Sequence, residues 1–187
     1  VIRNTLKGVF APTRYACTVM RQQRSGCIVN LTSDAGLGAI GMSNYAGATE
    51  GIIGMTRTVA RDLGRYGITC NAVSAVAKTR LFPGSVESYR PTGVYPTPEE
   101  RAGLGEPPSL GAWEGPGSPD DPENVAPLVV YLCTEESPNA NGYVFGVRGG
   151  SIYLYSNPAE KRSIYNAGIF TMDELDELVP QFISFDM

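Results

Sequence analysis

Residues 27–57, CIVNLTSDAGLGAIGMSNYAGATEGIIGMTR, decide the fold of this chain. The segment 27–32 is short, apolar and rich in β-branched residues, which predicts a buried strand. A glycine-rich turn follows Ser33, and over residues 44–64 apolar side chains recur at helical spacing. We therefore predict a strand, a turn and a helix, with Ser33 at the carboxyl end of the strand and Tyr45 in the first turn of the helix. In open α/β sheets, ligands bind at that end of the strands.

Outside this segment, helical and strand patterns alternate, which is typical of an α/β fold. Pro12 should bend or shorten the first helix, because proline cannot donate a backbone hydrogen bond in a helix interior. The predicted elements are a helix over 1–24, a buried strand over 68–74, a helix that follows Asp121 as its N-cap, a strand over 143–147, and a short helix that opens with a capping box from Thr171 to Glu174.

The composition is that of an ordinary globular protein, with 42% hydrophobic and 18% charged residues among 187. A net charge of −4 without a basic stripe argues against a nucleic-acid partner. No apolar run approaches about 18 residues, so we expect no membrane-spanning segment, and the first residues lack the shape of a signal peptide. The four cysteines (17, 27, 70 and 133) show no close pairing in sequence, which is typical of buried free thiols in a reducing compartment. We therefore expect a cytoplasmic protein.

The chain contains no histidine. This excludes Ser-His-Asp and Cys-His nucleophilic mechanisms, and any histidine-ligated metal, within the chain. A hydrolase that uses Ser33 as its nucleophile is therefore the least favoured class. No cysteine spacing suggests zinc, and we predict no metal site.

Five stretches resemble one known family: LKGVF at 6–10, IVNLTS at 28–33, NYAGATEGIIGMTRTVARDLGRYGITCNAVSAVAKTRL at 44–81, PENVAPLVVYL at 122–132 and NGYVFGVRGG at 141–150. Together they resemble the second half of a short-chain dehydrogenase/reductase. The resemblance implies a Rossmann-like doubly wound parallel sheet, of which this chain would hold the last strands and helices. It also implies an oxidoreductase that uses NAD or NADP on an alcohol or carbonyl substrate.

The resemblance assigns roles to four residues. Ser33 matches the family's catalytic serine, and Tyr45 matches the tyrosine of its Tyr-x-x-x-Lys motif. Thr49 stands where the family has lysine, and the gap from serine to tyrosine is one residue shorter than usual. By the same resemblance, Thr49 and Thr79 correspond to positions that contact the cofactor.

The missing lysine bears directly on the chemistry. A phenol has a pKa near 10, so it exchanges protons with a substrate oxygen at neutral pH only when its surroundings lower that pKa. A cation about 5 Å away is worth roughly 3 kcal/mol at an effective dielectric constant near 20, or on the order of a hundredfold in rate. We therefore expect activity that is weak or shifted to alkaline pH. The alternative is that Tyr45 is an ordinary helix tyrosine beside a cleft.

Residues 36–41 spell G-x-G-x-x-G, the fingerprint of a dinucleotide-phosphate loop. The fingerprint also requires an acidic residue about 20 positions on, at the end of a second strand. Asp62 stands at that distance, but it lies within a predicted helix. We interpret 36–41 as the turn that positions Ser33 rather than as a phosphate site.

The chain organisation follows from the resemblance and from one shift in composition. Residues 1–150 correspond to a partial family domain, with a proline- and glycine-rich insertion at 82–122 in the place of the family's substrate lid. Residues 151–187 form a C-terminal extension. The family's glycine-rich first half, roughly 90 residues at about 30 per βα unit, has no counterpart here. We therefore expect the strand at 27–32 to have an unpaired edge, and the chain alone to hold NAD(P) weakly.

The leading prediction is an NAD(P)-dependent oxidoreductase, weakened by the missing lysine and the missing half. Tyr45 would be the general acid/base and Ser33 the donor that orients the carbonyl of a small-molecule substrate. The alternative is a non-catalytic, oligomer-forming relative or fragment, in which glycines of the helix after Ser33 allow close helix contact. We expect a homo-oligomer, either a dimer or a tetramer, or pairing with a chain that supplies the missing half.

Overall fold

The computed structural model describes residues 1–77, 79, 121–137, 140–148 and 150–183. The chain forms two compact units, residues 1–155 and residues 156–187. The lid predicted over 82–122 lies outside the described residues except for its last two positions. The division into a family domain of 1–150 and an extension of 151–187 stays a prediction.

The first unit has an α/β architecture, as predicted. Among the described residues, its helices and strands are α1 (Ile2–Gln23), β1 (Gly26–Thr32), α2 (Ser43–Leu63), β2 (Ile68–Val76), α3 (Ala126–Leu132), β3 (Val144–Arg148) and β4 (Ser151–Leu154). The strands form one sheet in the order β1-β2-β3-β4, in which β1, β2 and β3 are parallel and β4 is antiparallel to β3. The predicted bounds of the earlier elements are therefore close to those observed. Pro12 does not shorten α1, which continues through it.

The strand β4 was not predicted. The segment has only four residues, Ser-Ile-Tyr-Leu, which is too short to show a clear period, and all four are exposed. It is defined instead by its pairing with β3, from Phe145 opposite Leu154 to Arg148 opposite Ser151.

Helices cover both faces of the sheet, which is the doubly wound arrangement. Ile28 and Cys70 face α1 and α2, where they form a cluster with Ala60. The next residue of β1, Val29, packs with Val73 against α3 on the opposite face. Successive residues of a strand point to opposite faces, so strands covered on both sides read as continuous apolar runs. This is why β1 and β2 were predictable from sequence.

A buried asparagine ties both helices of one face to the sheet. Asn30 is 5% exposed. Its Oδ1 accepts a hydrogen bond from the Thr13 hydroxyl of α1 at 3.2 Å, and its Nδ2 donates to the Thr56 hydroxyl of α2 at 3.0 Å. A buried amide is stable only when it is hydrogen-bonded, so this network fixes α1 and α2 on β1.

The edge of β1 away from β2 has no strand neighbour among the described residues. Leu31, the last apolar residue of β1, is 56% exposed. The structure thus agrees with the unpaired edge that we expected for this strand. Within the described ranges, no helix combines the length and the apolar character needed to cross a membrane.

The second unit contains α4 (Met172–Phe182), which begins with the predicted capping box. Thr171 Oγ1 accepts from the Glu174 amide at 3.3 Å, and the Thr171 amide donates to Glu174 Oε2 at 2.8 Å. The amide and hydroxyl of Thr171 lower the pKa of the Glu174 carboxyl, because both stabilise its charged form.

Candidate active site

Ser33 lies directly after β1, at the carboxyl end of the parallel strands. It is the N-cap of a 3₁₀ turn over Asp34–Leu37, and its Oγ accepts a hydrogen bond from the Ala35 amide at 3.2 Å. The side chain is half-buried. Serine is favoured at such a cap because its hydroxyl replaces the missing backbone acceptor. The cap therefore holds the Ser33 oxygen at the edge of the sheet.

Tyr45 lies in the first turn of α2, as predicted, and is half-buried. The Thr32 hydroxyl donates to the carbonyl oxygen of Thr49 at 2.9 Å. This bond joins the end of β1 to α2 one helical turn after Tyr45. The bond therefore places this part of α2 against the carboxyl end of β1, which Ser33 directly follows.

Gly36 allows the turn after Ser33 to lie close against α2. A Cβ atom at this position would lie 3.2 Å from the Glu50 amide nitrogen and 3.3 Å from Thr49 Oγ1. The Glu50 carboxylate is also near, with Oε2 3.0 Å from the same point. A carboxylate beside the turn would repel a phosphate. This geometry supports our interpretation of residues 36–41 as the turn that positions Ser33.

Thr49 is 1% exposed, and its hydroxyl already has hydrogen-bond partners. Thr49 Oγ1 lies 3.0 Å from the Tyr45 carbonyl oxygen and 3.1 Å from the Ala46 carbonyl oxygen, to which it donates. A threonine in a helix often bonds back to the preceding turn in this way. Contact with a cofactor ribose would need this hydroxyl to rotate and become accessible, so that role stays a prediction.

Asp34 and Arg148 form a charged pair beside Ser33. Arg148 Nη2 lies 3.8 Å from Asp34 Oδ2, and the Ser33 hydroxyl donates to Asp34 Oδ1 at 3.4 Å. A contact of 3.4 Å is a weak hydrogen bond, so a substrate carbonyl could replace the carboxylate as its acceptor. The sequence reasoning missed Arg148, although the residue directly follows the predicted strand 143–147 and parallel strands bring their carboxyl ends together.

Two further polar side chains lie near this edge. Ser74, opposite Thr32 in the sheet, is 1% exposed and lies beside the Tyr155 phenol, whose pKa its hydroxyl acts to lower. Burial, with smaller contributions from Tyr153 and Asp34, raises the pKa of Tyr155 to about 12. Tyr155 is therefore a neutral phenol at physiological pH.

Thr79 is exposed, and the contact that would identify it as a cofactor ligand stays a prediction. The structure thus brings Ser33, Tyr45 and Thr49 to one edge of the sheet. It adds Asp34, Arg148 and Tyr155 to the neighbourhood of Ser33.

The fold is that of a Rossmann-like α/β protein, and comparison with known proteins agrees. The profile of a family described as Enoyl-(Acyl carrier protein) reductase matches residues 1–92. The 3-oxoacyl-[acyl-carrier-protein] reductase FabG of Thermotoga maritima is 36% identical over 154 residues, which cover 81% of this chain and 56% of that protein. Estradiol 17-beta-dehydrogenase 8 of Callithrix jacchus is 36% identical over 152 residues, which cover 78% of this chain and 96% of that sequence.

A solved structure gives the same result. The crystal structure of a short chain dehydrogenase from Mycobacterium avium superposes on this chain with a TM-score of 0.73 at 31% sequence identity. The superposition covers 98% of this chain and 56% of the Mycobacterium avium chain. The chain belongs to the short-chain dehydrogenase/reductase family. It spans about half the length of the first curated relatives that it matches.

Proposed function

We propose that this chain carries the proton-transfer site of an NAD(P)-dependent oxidoreductase that interconverts a secondary alcohol and a ketone. The observation that supports the proposal is the Thr32–Thr49 hydrogen bond, which joins the residue before Ser33 to α2 one helical turn after Tyr45. The names of the relatives support a 3-oxoacyl or 3-hydroxyacyl thioester as the substrate class. The expected small-molecule substrate is thus defined by a carbonyl or hydroxyl at its third carbon.

In this proposal each residue acts on the substrate oxygen. Ser33 donates a hydrogen bond to the carbonyl oxygen and so orients the ketone. Tyr45 gives its phenolic proton to that oxygen during reduction and takes it back during oxidation. When bound, NAD(P) supplies or accepts the hydride at the neighbouring carbon. The Asp34 carboxylate, which pairs with Arg148, competes with the substrate oxygen as the acceptor of the Ser33 hydroxyl.

The described residues fit only the nicotinamide end of such a cofactor. Arg148 Nε is a buried polar atom without a hydrogen-bond partner among the described residues, Ser74 Oγ is buried beside the Tyr155 phenol, and both lie toward the carboxyl ends of their strands. They could bond to the amide or ribose at that end, alongside the predicted contacts of Thr49 and Thr79. The turn at 36–41 is unsuited to the pyrophosphate, because Glu50 lies against it.

Turnover at millimolar cofactor tests the proposal. We expect the chain to oxidise NADH or NADPH slowly in the presence of the acetoacetyl thioester of coenzyme A, at a rate proportional to chain concentration. The same mixture without the thioester is the control. A rate no higher than that control, at saturating concentrations of both NADH and NADPH, would contradict the proposal and leave the non-catalytic alternative.

Binding of the cofactor to the chain alone should be weak, because only its nicotinamide end finds suitable residues. We expect a dissociation constant for NADH weaker than micromolar, measured by calorimetry or by NADH fluorescence. A micromolar or tighter constant would show that the chain holds the whole cofactor, and that the missing half is not needed.

The alternative function is a non-catalytic subunit that associates with a second copy or with a chain that supplies the missing half. The helix surfaces favour it. Gly47 and Gly54 of α2 have open space where a Cβ would lie, and Phe10 and Val19 of α1 are about half exposed. Such a surface would allow helices of two protomers to lie close together. A dimer or tetramer in sedimentation, with no turnover, would favour this alternative. For either function, the cytoplasmic location that we expected from the free thiols stays a proposal.

A further inference from the structure

Two cysteines that are far apart in the sequence meet in the structure. Cys27 Sγ of β1 lies 3.2 Å from Cys133 Sγ, although 106 positions separate the residues. Two cysteines that are not paired in the sequence are therefore neighbours in the folded chain. The expectation of buried thiols holds for Cys70 alone, because Cys17 and Cys27 are half-buried and Cys133 is exposed.

The geometry points to a disulfide between Cys27 and Cys133 as a redox modification site of this chain, formed by exchange with a small-molecule disulfide such as oxidised glutathione. A disulfide bond is about 2.05 Å long, so the two sulfur atoms need to approach by only about 1.1 Å. The Cys27 thiol also donates to the Leu132 carbonyl oxygen at 3.1 Å, which holds its sulfur beside the end of α3. The pair is thus preorganised for closure.

The exposure of the two residues sets the order of the steps. Cys133 is exposed at the C-cap of α3, so its sulfur is the one that a dissolved disulfide reaches first. The Cys133 thiolate attacks one sulfur of the small disulfide, and the other sulfur leaves as a thiolate and takes up a proton. The Cys27 thiolate then attacks the Cys133 sulfur, and the second small thiol leaves. The chain loses two protons and two electrons in all, and the small disulfide takes them up to become two thiols.

The surroundings also explain how fast the reaction should be. Burial and the neighbouring Cys27 thiol raise the pKa of Cys133 to about 11. The thiolate is the nucleophile, so exchange should be slow at neutral pH and should speed up by about tenfold per pH unit below that value. The bond would be a slow modification at neutral pH rather than a fast switch.

The bond would join the edge strand β1 to the end of α3 and close a long loop of chain. A loop of this length restricts the unfolded state strongly, so we expect the melting temperature to rise by roughly 10 °C on oxidation. Reduction by dithiothreitol should restore the original value.

The test is incubation of the full chain with oxidised glutathione at mildly alkaline pH, followed by unfolding in denaturant, alkylation of the remaining thiols and mass spectrometry of the intact chain and its peptides. Before alkylation, we expect the oxidised chain to be two hydrogens lighter than the reduced chain. After alkylation, we expect two alkylated cysteines and a linked peptide pair that contains Cys27 and Cys133. The Cys17→Ser chain is the matched control and should form the same link, whereas Cys133→Ser should not.

Three results would overturn the inference: a glutathione adduct that persists on Cys133, a linked dimer of two chains, or a bond from Cys27 to Cys17 or Cys70. Peptide mapping of the unaltered chain distinguishes all three from the expected link. The inference therefore remains testable even if the Cys133→Ser chain fails to fold. Its outcome does not depend on the proposed oxidoreductase activity.

Discussion

Replacement of Tyr45 by phenylalanine should lower the rate of thioester reduction by about 10²–10⁴-fold, which is the range for the loss of a general acid/base. The change removes only the phenolic oxygen and leaves the ring in the first turn of α2. Tyr45 is half-buried, so we expect the melting temperature to change by no more than a few degrees. The measurements are kcat at millimolar cofactor and thermal unfolding of the same preparation.

Tyr15→Phe provides the matched control for this variant. Tyr15 lies on α1 and is 75% exposed, so the loss of its hydroxyl should leave the rate unchanged. A Tyr45→Phe chain that keeps the full rate would show that the proton comes from elsewhere. Tyr45 would then be the ordinary helix tyrosine of the alternative interpretation.

Replacement of Thr49 by lysine should raise the rate at neutral pH by on the order of a hundredfold, because it supplies the positive charge that the family places one turn after the tyrosine. It should also move the rising limb of the pH–rate profile to lower pH. The sign follows from the chemistry: a nearby cation favours the phenolate, so proton exchange with the substrate becomes effective nearer to neutral pH. The measurement is kcat/KM as a function of pH for both chains.

The structure also predicts that the Thr49→Lys replacement lowers the stability of the fold. Position 49 is 1% exposed and lies under Gly36, so the longer side chain must displace its neighbours or extend past them toward Tyr45. Thr49→Met is the matched control, since methionine has a similar length and no charge. It should share the loss of stability without the gain in rate. Equal rates for the lysine, methionine and threonine chains would contradict the electrostatic explanation, and no activity in any of them would favour the non-catalytic subunit.

The elements that position the site could be predicted because their sequences are either largely apolar runs or carry a helical period. β1 and β2 are apolar on both faces, and α2 has an apolar stripe that faces the sheet. The serine and the tyrosine follow from that frame, since one ends the strand and the other begins the helix. The capping box at Thr171 was predictable for a similar reason, because its two partners stand three residues apart.

The strand β4 was missed although it pairs with its neighbour in sequence, β3, because all four of its residues are exposed. The other missed features depend on contacts between distant parts of the chain. The Asp34–Arg148 pair and the Cys27–Cys133 contact join residues more than a hundred positions apart, and no local pattern identifies such neighbours. The burial of the Thr49 hydroxyl was hidden in the same way, because it follows from the close approach of Gly36 to α2.

The most direct test of the central claim is a double-mutant cycle between Ser33→Ala and Tyr45→Phe, with the single-turnover rate of thioester reduction as the readout. If both hydroxyls act on one substrate oxygen, each single variant should be slow and the double variant should be about as slow as Tyr45→Phe alone, because groups that act as a unit are not additive. Losses that simply multiply, or a Ser33→Ala chain as fast as the unaltered one, would show that the two residues do not share a reacting oxygen.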